Sequence, residues 1–438
     1  MTEPAAATTD RRQSRLGRTS IAAVVVNVGG SAMRLVLQIV LARSLGANDY
    51  GRFVLGRSWG ELLGRFPNRG YEATAVKELP RYERIGRPDL FRGFVRTAWR
   101  VTASGAVALA IVAIAAYGLA ADEPDHAILL GLALTAPMAL AWLTRSLLQG
   151  HHRFVVGSSL LELLQPLLFG ATVAVLWATD RLTALTALAT WIVTMGVVAA
   201  VGHLVLRRGY STELATASPA DDRAGWQAIR RPLYASQLAF VVLDNADILI
   251  VGALLPRAQV AAYAVATRLA VLGRIIVAGV QSVAASHLAE AATTQDWRET
   301  QRIVDRSLRV CALPTVAITI VAAVLADPLV AVFGAEYDAA VDLFRILLIG
   351  NLVNSVTGPS GYVVSLSGLE RIYARVMWAA AAATLVGLAA CVAWFGAAGA
   401  AWSVTAVTVA WNLALLVIAR QRLGVRCWVR PATFRTAT

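Results

Sequence analysis

Apolar runs close to the length of a bilayer crossing recur from one end of the chain to the other, separated by short polar segments. A helix needs about 20 residues to span the roughly 30 Å hydrocarbon core. In lipid the backbone must satisfy its own N–H and C=O groups, and runs this long and continuous do so as helices. Twelve can be read, at 20–43, 51–75, 97–120, 127–149, 157–178, 184–206, 232–255, 261–287, 308–333, 340–366, 374–395 and 399–420. The predicted fold is an all-α polytopic membrane protein with no large soluble domain. Composition agrees: 15% of residues are charged, against roughly 25% in soluble domains.

Charge then orients the spans. The formal net charge is +13, from Lys+Arg 40 against Asp+Glu 27. Segments 11–18, 76–96, 145–153, 207–231, 298–309, 371–375 and 420–435 hold 28 Arg and Lys residues, and the six alternate loops hold four. Two of those alternate loops are acidic, Asp122-Glu123-Pro124-Asp125 and Glu336-Tyr337-Asp338. Positive loops stay inside, so both termini are predicted to be cytosolic. The basic balance is thus a matter of topology, and no nucleic-acid partner is expected. The first span, about 24 residues, is too long for a signal h-region and should be retained. The longest polar break, 207–231, divides the spans into two groups of six. The expected organisation is a basic tail over 1–19, a six-helix lobe over 20–206, a cytosolic linker over 207–231, a second six-helix lobe over 232–420, and a basic tail over 421–438. Segment 76–96 reads as a basic loop, or as an interfacial helix resting on anionic lipid.

Several chemistries are excluded. Lys77 is the only lysine, and it sits in Ala75-Val76-Lys77-Glu78, so there is no Walker phosphate loop. Cys311, Cys391 and Cys427 are scattered, without metal or disulfide spacing. His151-His152 reads as a solvated pair at a helix end. Neither a metal nor a bound cofactor is expected, and the chain is not read as an enzyme.

The second span is unlike the others. Arg57, Glu61, Arg65 and Arg69 recur every four residues, with Glu72 three further on, so a helix would carry them on one stripe. Gly56, Gly60 and Gly64 form a small-residue seam beside it. Each ionisable residue near mid-membrane costs about 2.5–3.5 kcal/mol, whereas an i,i+4 pair returns about 0.2–0.5 kcal/mol. The stripe therefore needs either a wet cavity or an ion-pair seam inside the protein. Arg34, on the adjoining span, can approach the same place. Glu162, with Gln165 and Pro166 on the fifth span, marks a broken helix.

The second half carries Asp244, Asn245 and Asp247 on the seventh span, Arg268 and Arg274 on the eighth, and Arg345 on the tenth. The two acids could bind a coupling H+ or Na+, or could neutralise those arginines. The tenth span is unusually polar, with Asn351, Asn354, Ser355, Ser360 and Ser365, and is interrupted by Gly358-Pro359. Those residues suit a hydrophilic lining or polar helix–helix contacts. Aligning Leu45 with Leu255 sets Arg34 on Asp244 and Gly51-Arg52-Phe53 on Ala261-Ala262-Tyr263, a weak parallel repeat of the two halves.

The stretch LARSLGANDYGRF after the first span resembles the first-hairpin signature of the polysaccharide-transporter family, lipid-linked oligosaccharide flippases of the MATE-like multidrug/oligosaccharidyl-lipid/polysaccharide superfamily. DNADILIVGALLPRAQVAAYAVATRL is similar to that family's seventh and eighth helices, with Asp247 before the apolar run and Tyr263 opening the next span. Pro256-Arg257 departs from the Gly-Ala turn of the family pattern. The resemblance implies a V-shaped pair of six-helix lobes with alternating access in a bacterial cytoplasmic (inner) membrane. It implies a substrate of undecaprenyl-diphosphate-linked oligosaccharide for polysaccharide biosynthesis, such as O-antigen or exopolysaccharide. Glycosyltransferases and a glycan polymerase of the same pathway would be its partners, and membrane lipids its surroundings. Arg34, Arg57, Arg65 and Arg69, with Arg268 and Arg274 in the second lobe, would then face the diphosphate. Glu61, Glu162, Asp244 and Asp247 would balance charge or couple ions. The alternatives are an ion-coupled multidrug exporter of the same superfamily, which would prefer an acidic or aromatic cavity, and a membrane glycan polymerase, which would need longer external loops.

Overall fold

The structure, a computed structural model, describes residues 4–271, 288, 297–357 and 359–428. Regular structure among these residues is helical throughout. The first helix, α1 (Pro4–Arg65), is two helices in series, broken at Gly46 with φ 75° and ψ 165°. A positive φ is cheap only for glycine, so the turn between the first two predicted spans reduces to one residue, and Asn48, Asp49 and Tyr50 are already helical.

The second span does not run to residue 75. α1 stops at Arg65 and residues 66–70 turn before α2 (Tyr71–Arg84). Pro67 is the reason: a residue ahead of proline is pushed out of the helical region, and Pro67 itself lacks an N–H. Segment 76–96 is helical apart from a break at 85–87, not a loop. Its first part continues α2, which buries Tyr71, Thr74, Ala75, Glu78, Leu79 and Tyr82 along one face against α5 and α3. Its second part opens α3 (Pro88–Ala120), with proline at the favoured first turn.

α4 (His126–Ala133) and α5 (Thr135–Gly150) follow in one span. The next span is α6 (Phe154–Ser159), a π-helical turn (Leu160–Leu164) and α7 (Gln165–Ala178). Pro166 has no N–H to give the carbonyl of Glu162 four residues earlier, and the helix is wound wide just ahead of it. α8 (Ala184–Arg208) starts from a capping box between Thr183 and Thr186. After α9 (Thr212–Thr216) come α10 (Arg223–Leu254), α11 (257–271), α12 (Trp297–Val324), α13 (Ala326–Ala331), α14 (Ala340–Val356) and α15 (Ser360–Leu366). The last helix, α16 (Glu370–Leu423), is broken at Gly396 (φ 59°, ψ −142°) much as α1 is at Gly46. Among the described residues eight helices are long and apolar enough to cross a membrane, or nine if α14 and α15, bent by 50°, count as one. That bend falls at the predicted interruption; Gly358 itself lies outside the described residues.

The chain divides into two compact units, Met1–Leu45 with Leu55–Leu238, and Gly46–Val54 with Ala239–Thr438. In the first, the glycine seam of α1 lies backbone to backbone on α4 and α5. A Cβ at Gly56 would fall 2.3 Å from the Ala127 carbonyl oxygen, and one at Gly131 would fall 2.0 Å from that of Gly56. In the second, the short helical piece after Gly46 is held by Tyr50, edge-on to Tyr337 at 6.1 Å. A separate apolar cluster gathers Val304, Leu308, Val363, Val364, Leu415 and Cys427. Burial pushes the Cys427 thiol up to about 12, with the Asp305 charge adding to the rise.

Candidate functional site

The ladder of α1 holds as far as Arg65. The Arg57 guanidinium donates to Glu61 Oε1 through Nε (2.8 Å) and Nη2 (2.5 Å), and it lies 4.4 Å from the Trp191 ring centroid. Its side chain is only 10% accessible. This pair is an ion-pair seam: the acid neutralises the base, and the indole of α8 covers it.

One turn on, Arg65 stacks 3.6 Å from the Trp142 ring centroid of α5 and bonds Glu72 of α2 at 3.2 Å. Asn68 also donates to Glu72. Glu72 is therefore brought to the ladder, though by the 66–70 turn folding α2 back rather than by helical periodicity. Arg69 is not on the ladder. It sits in that turn with φ 44°, its side chain exposed, while its carbonyl accepts a bond from Arg230 at 3.0 Å.

Arg34 and Glu162 do meet. They form an ion pair between α1 and the π turn, and Arg34 also donates to Ser31 Oγ at 3.0 Å. The second partner of Glu162 is Arg145 of α5, 3.5 Å from Oε1. Arg145 lies where the predicted span 127–149 overlaps the basic segment 145–153, and spacing alone does not mark it as a site residue; the structure sets it on α5, which ends at Gly150. The charges of Arg65, Arg34, Glu72 and Glu162 all act on Arg145. Arg34, Arg65 and Arg145, with Glu72 and Glu162, thus form one electrostatic cluster fed by α1, α2, α5 and the π turn.

Burial is uneven within it. The acids are the buried members, Glu162 at 11% and Glu72 at 13% side-chain accessibility, whereas Arg34, Arg65 and Arg145 keep 33%, 40% and 30%. The cluster is a cationic surface pinned from behind by carboxylates. Three guanidinium forks, one on each half of α1 and one on α5, can offer paired N–H donors to an anion with several oxygens.

In the second unit, Asp247 accepts from the Tyr263 hydroxyl at 3.1 Å and from the Ile248 N–H at 2.8 Å. The charges of Asp244 and Arg268 both act on it. Arg274 lies outside the described residues. Arg345 does not serve the acid pair: it bonds Asp327 at 2.7 Å and Asp342 at 3.4 Å instead, because it lies early on α14, beside α13. Asn351 donates across to the Ala270 carbonyl at 2.8 Å, and Thr357 bonds Asn412 of α16 at 3.0 Å, so these polar groups of the tenth span make helix–helix contacts.

His151 is not solvated. Its ring lies 2.5 Å from Glu83 Oε1 and 3.1 Å from the Gly209 carbonyl, edge-on to Phe91 and Tyr210. Its neighbour His152 is exposed. Burial lifts the Tyr210 phenol to about 12, so it packs as a neutral ring.

A family described as "Polysaccharide biosynthesis protein" matches residues 16–286, and the MatE family matches residues 232–392. No curated protein matches the chain. Among solved structures, a multidrug resistance MATE family transporter of the MOP superfamily, in its inward-facing conformation, superposes with a TM-score of 0.71 at 12% identity, over 95% of this chain and 94% of that one. Lipid II flippase MurJ, in an inward closed conformation, gives 0.69 at 10% identity over 92% and 87%. A MOP superfamily transporter from Pyrococcus furiosus gives 0.62 at 11% identity over 92% and 95%. Likeness at these identities is likeness of fold, and the fold is that of the MATE transporters.

Proposed function

The chain belongs to the polysaccharide biosynthesis protein family, and from that premise we propose that it moves a lipid-linked, diphosphate-bearing oligosaccharide across a membrane by alternating access. The observation that carries this reading is the cluster of Arg34, Arg65 and Arg145, whose side chains are partly accessible and paired with two largely buried carboxylates. A diphosphate brings several charged oxygens into a poorly hydrated site, and arginine forks meet them in bidentate geometry. Arg57, by contrast, is committed to Glu61 and Trp191, which suits a supporting role. Arg69, exposed in a turn, would contribute field rather than contact. Arg268 and Arg274 would supply the second lobe's positive charge.

The proposed organisation is twelve spans with both termini cytosolic. Counting α1 and α16 as two spans each at their glycine breaks, and α11 as the start of another, supports that number. The positive-inside pattern supports the orientation. A bacterial cytoplasmic membrane, with glycosyltransferases and a glycan polymerase as pathway partners, fits this reading. Asp247, bonded by Tyr263, and Asp244 are the proposed residues for H+ or Na+ coupling.

A multidrug exporter is the second reading, favoured by the MatE match over 232–392. The test is glycan export by cells that depend on this gene. Arg65→Ala is expected to abolish export at normal protein level, with Arg69→Ala milder. In vesicles, transport should respond to a proton or Na+ gradient, and Asp247→Asn should blunt the response. Undiminished export by Arg65→Ala would sink the cationic assignment, and drug extrusion without glycan export would favour the second reading.

A further inference from the structure

Glu162 occupies an unusual place in the cluster. One carboxylate oxygen takes Arg34 of α1 and the other lies 3.5 Å from Arg145 of α5. Among the described residues it is the one acid paired with both, so it links the two helices. Its backbone takes part too. A Cβ at Gly30 would stand 2.4 Å from the Glu162 carbonyl oxygen, so α1 lies directly against the π turn one helical turn before Arg34. That carbonyl is the one Pro166 leaves without its helical donor. A π turn inserted at a charged residue is a frequent mark of a functional site.

The carboxylate side chain is nearly buried and the two arginine side chains are about a third accessible. Each guanidinium has five N–H donors, more than one shared carboxylate can use. Glu162 therefore satisfies the two arginines only in part, with a single negative charge.

We propose that Glu162 is a resident counter-ion that a diphosphate displaces from Arg34 and Arg145, and that this exchange sets the charge threshold for a ligand. The inference rests on the reading of the cluster as an anion site and adds to it Arg145 as a ligand-binding residue and Glu162 as its competitor. A diphosphate carries more charge and more oxygens than a carboxylate, so it can span both forks and displace the acid. A monophosphate has a single phosphoryl group, too short to span both forks, and competes with the acid less well. The exchange leaves α1 and α5 joined through the ligand and releases the π turn that carries Glu162 from both.

The experiment measures binding to the purified full-length protein in detergent by calorimetry, with farnesyl diphosphate, inorganic pyrophosphate and farnesyl monophosphate as probes. Glu162→Gln keeps the shape and removes the competing charge. It should bind farnesyl diphosphate about tenfold more tightly than the parent, and the gap between diphosphate and monophosphate should narrow. Glu162→Asp, one methylene shorter and unable to reach both arginines, should fall between them, and it covers the case in which the Gln variant does not fold. Arg145→Ala should weaken both diphosphates. A preference for farnesyl diphosphate over pyrophosphate identifies the lipid-linked form as the ligand, and equal affinity identifies the free anion; the exchange stands in both cases. Parent-like affinity of both Glu162 variants, with Arg145→Ala weakened, would overturn the exchange and leave the anion site intact. No diphosphate binding by the parent or any variant would overturn the anion site and the exchange together.

Discussion

At the scale of single residues, charges inside an apolar protein are held by different means, and the means decide what their loss costs. Arg57 has a carboxylate at 2.5 Å and an indole face at 4.4 Å, and almost no solvent. Arg57→Ala removes both guanidinium bonds to Glu61 and the contact with the Trp191 ring, and should cost about 2 kcal/mol, as for hydrogen bonds to charged groups. Arg69→Ala removes an exposed side chain and should change stability by no more than about 0.5 kcal/mol. Thermal unfolding of the two variants in detergent checks this: the midpoint should fall for Arg57→Ala and stay near the parent for Arg69→Ala, and equal midpoints would refute the distinction. Their equivalence in sequence shows what spacing can and cannot say. A four-residue repeat places Arg57, Glu61 and Arg65 on one face because the helix is intact there. Past Pro67 the repeat continues in letters while the helix does not, so Arg69 leaves the face and Glu72 returns to it by another route. Arg145 is harder to read for another reason: it sits at the end of the predicted span 127–149, where the basic segment 145–153 begins, and nothing in the spacing shows that the π turn brings Glu162 within 3.5 Å of it.

At the scale of helices, the seam of Gly56, Gly60 and Gly64 was legible as a packing face, but its partner was not. A small-residue repeat announces that some backbone comes close; it does not say whose. The structure sets it against α4 and α5, with Gly131 answering Gly56 from the other side. Around the site of a Cβ at Gly131 the nearest atoms are all backbone, the Gly56 oxygen at 2.0 Å, its carbon at 2.5 Å and its Cα at 2.7 Å. Backbone cannot rotate out of the way, so Gly131→Ala must separate α1 from α4 and should cost about 1–3 kcal/mol, as overpacking does. Gly196, inside α8, has nothing within 4 Å of its Cβ position. Gly196→Ala should instead add about 0.5–1 kcal/mol through helix propensity. Opposite shifts of the unfolding midpoint are expected from the same chemical change, and a destabilised Gly196→Ala together with an unaffected Gly131→Ala would contradict the packing. The π turn at Leu160–Leu164 was partly legible, since Pro166 signals a freed carbonyl, but the close approach of α1 to it at Gly30 was not.

At the scale of the whole molecule, the polar stretch after α8 looked in sequence like a plain tether, rich in Ser, Thr, Asp and Ala. Such composition predicts exposure and little else, because nothing in it shows that a distant arginine and a distant glycine are shaped to receive its backbone. Arg92 of α3 donates to the carbonyls of Ala215 and Ala217 at 2.6 and 2.7 Å. The Ala220 N–H donates to the Asp89 carbonyl at 3.0 Å, at a point where Gly93 has no side chain to obstruct it. Trp226 is buried with its indole N–H on the Tyr82 hydroxyl at 2.8 Å, and Tyr210 packs on Phe91 and His151. The stretch is thereby strapped along the first unit, and the division between the units falls further on, inside α10 between Leu238 and Ala239. The strap should slow proteolysis at Arg207, Arg208 and Arg223, since a protease needs the backbone to open locally. Arg92→Ala removes both carbonyl bonds; if these hold the strap down by about 1.4 kcal/mol, tryptic cleavage there should accelerate about tenfold. Fragment sizes on a gel locate the cut, and the folded midpoint of the same variant shows that the helices are otherwise intact. Cleavage at the parental rate would mean that the arginine contributes nothing to holding the strap, leaving the aromatic contacts of Tyr210 and Trp226 to anchor it.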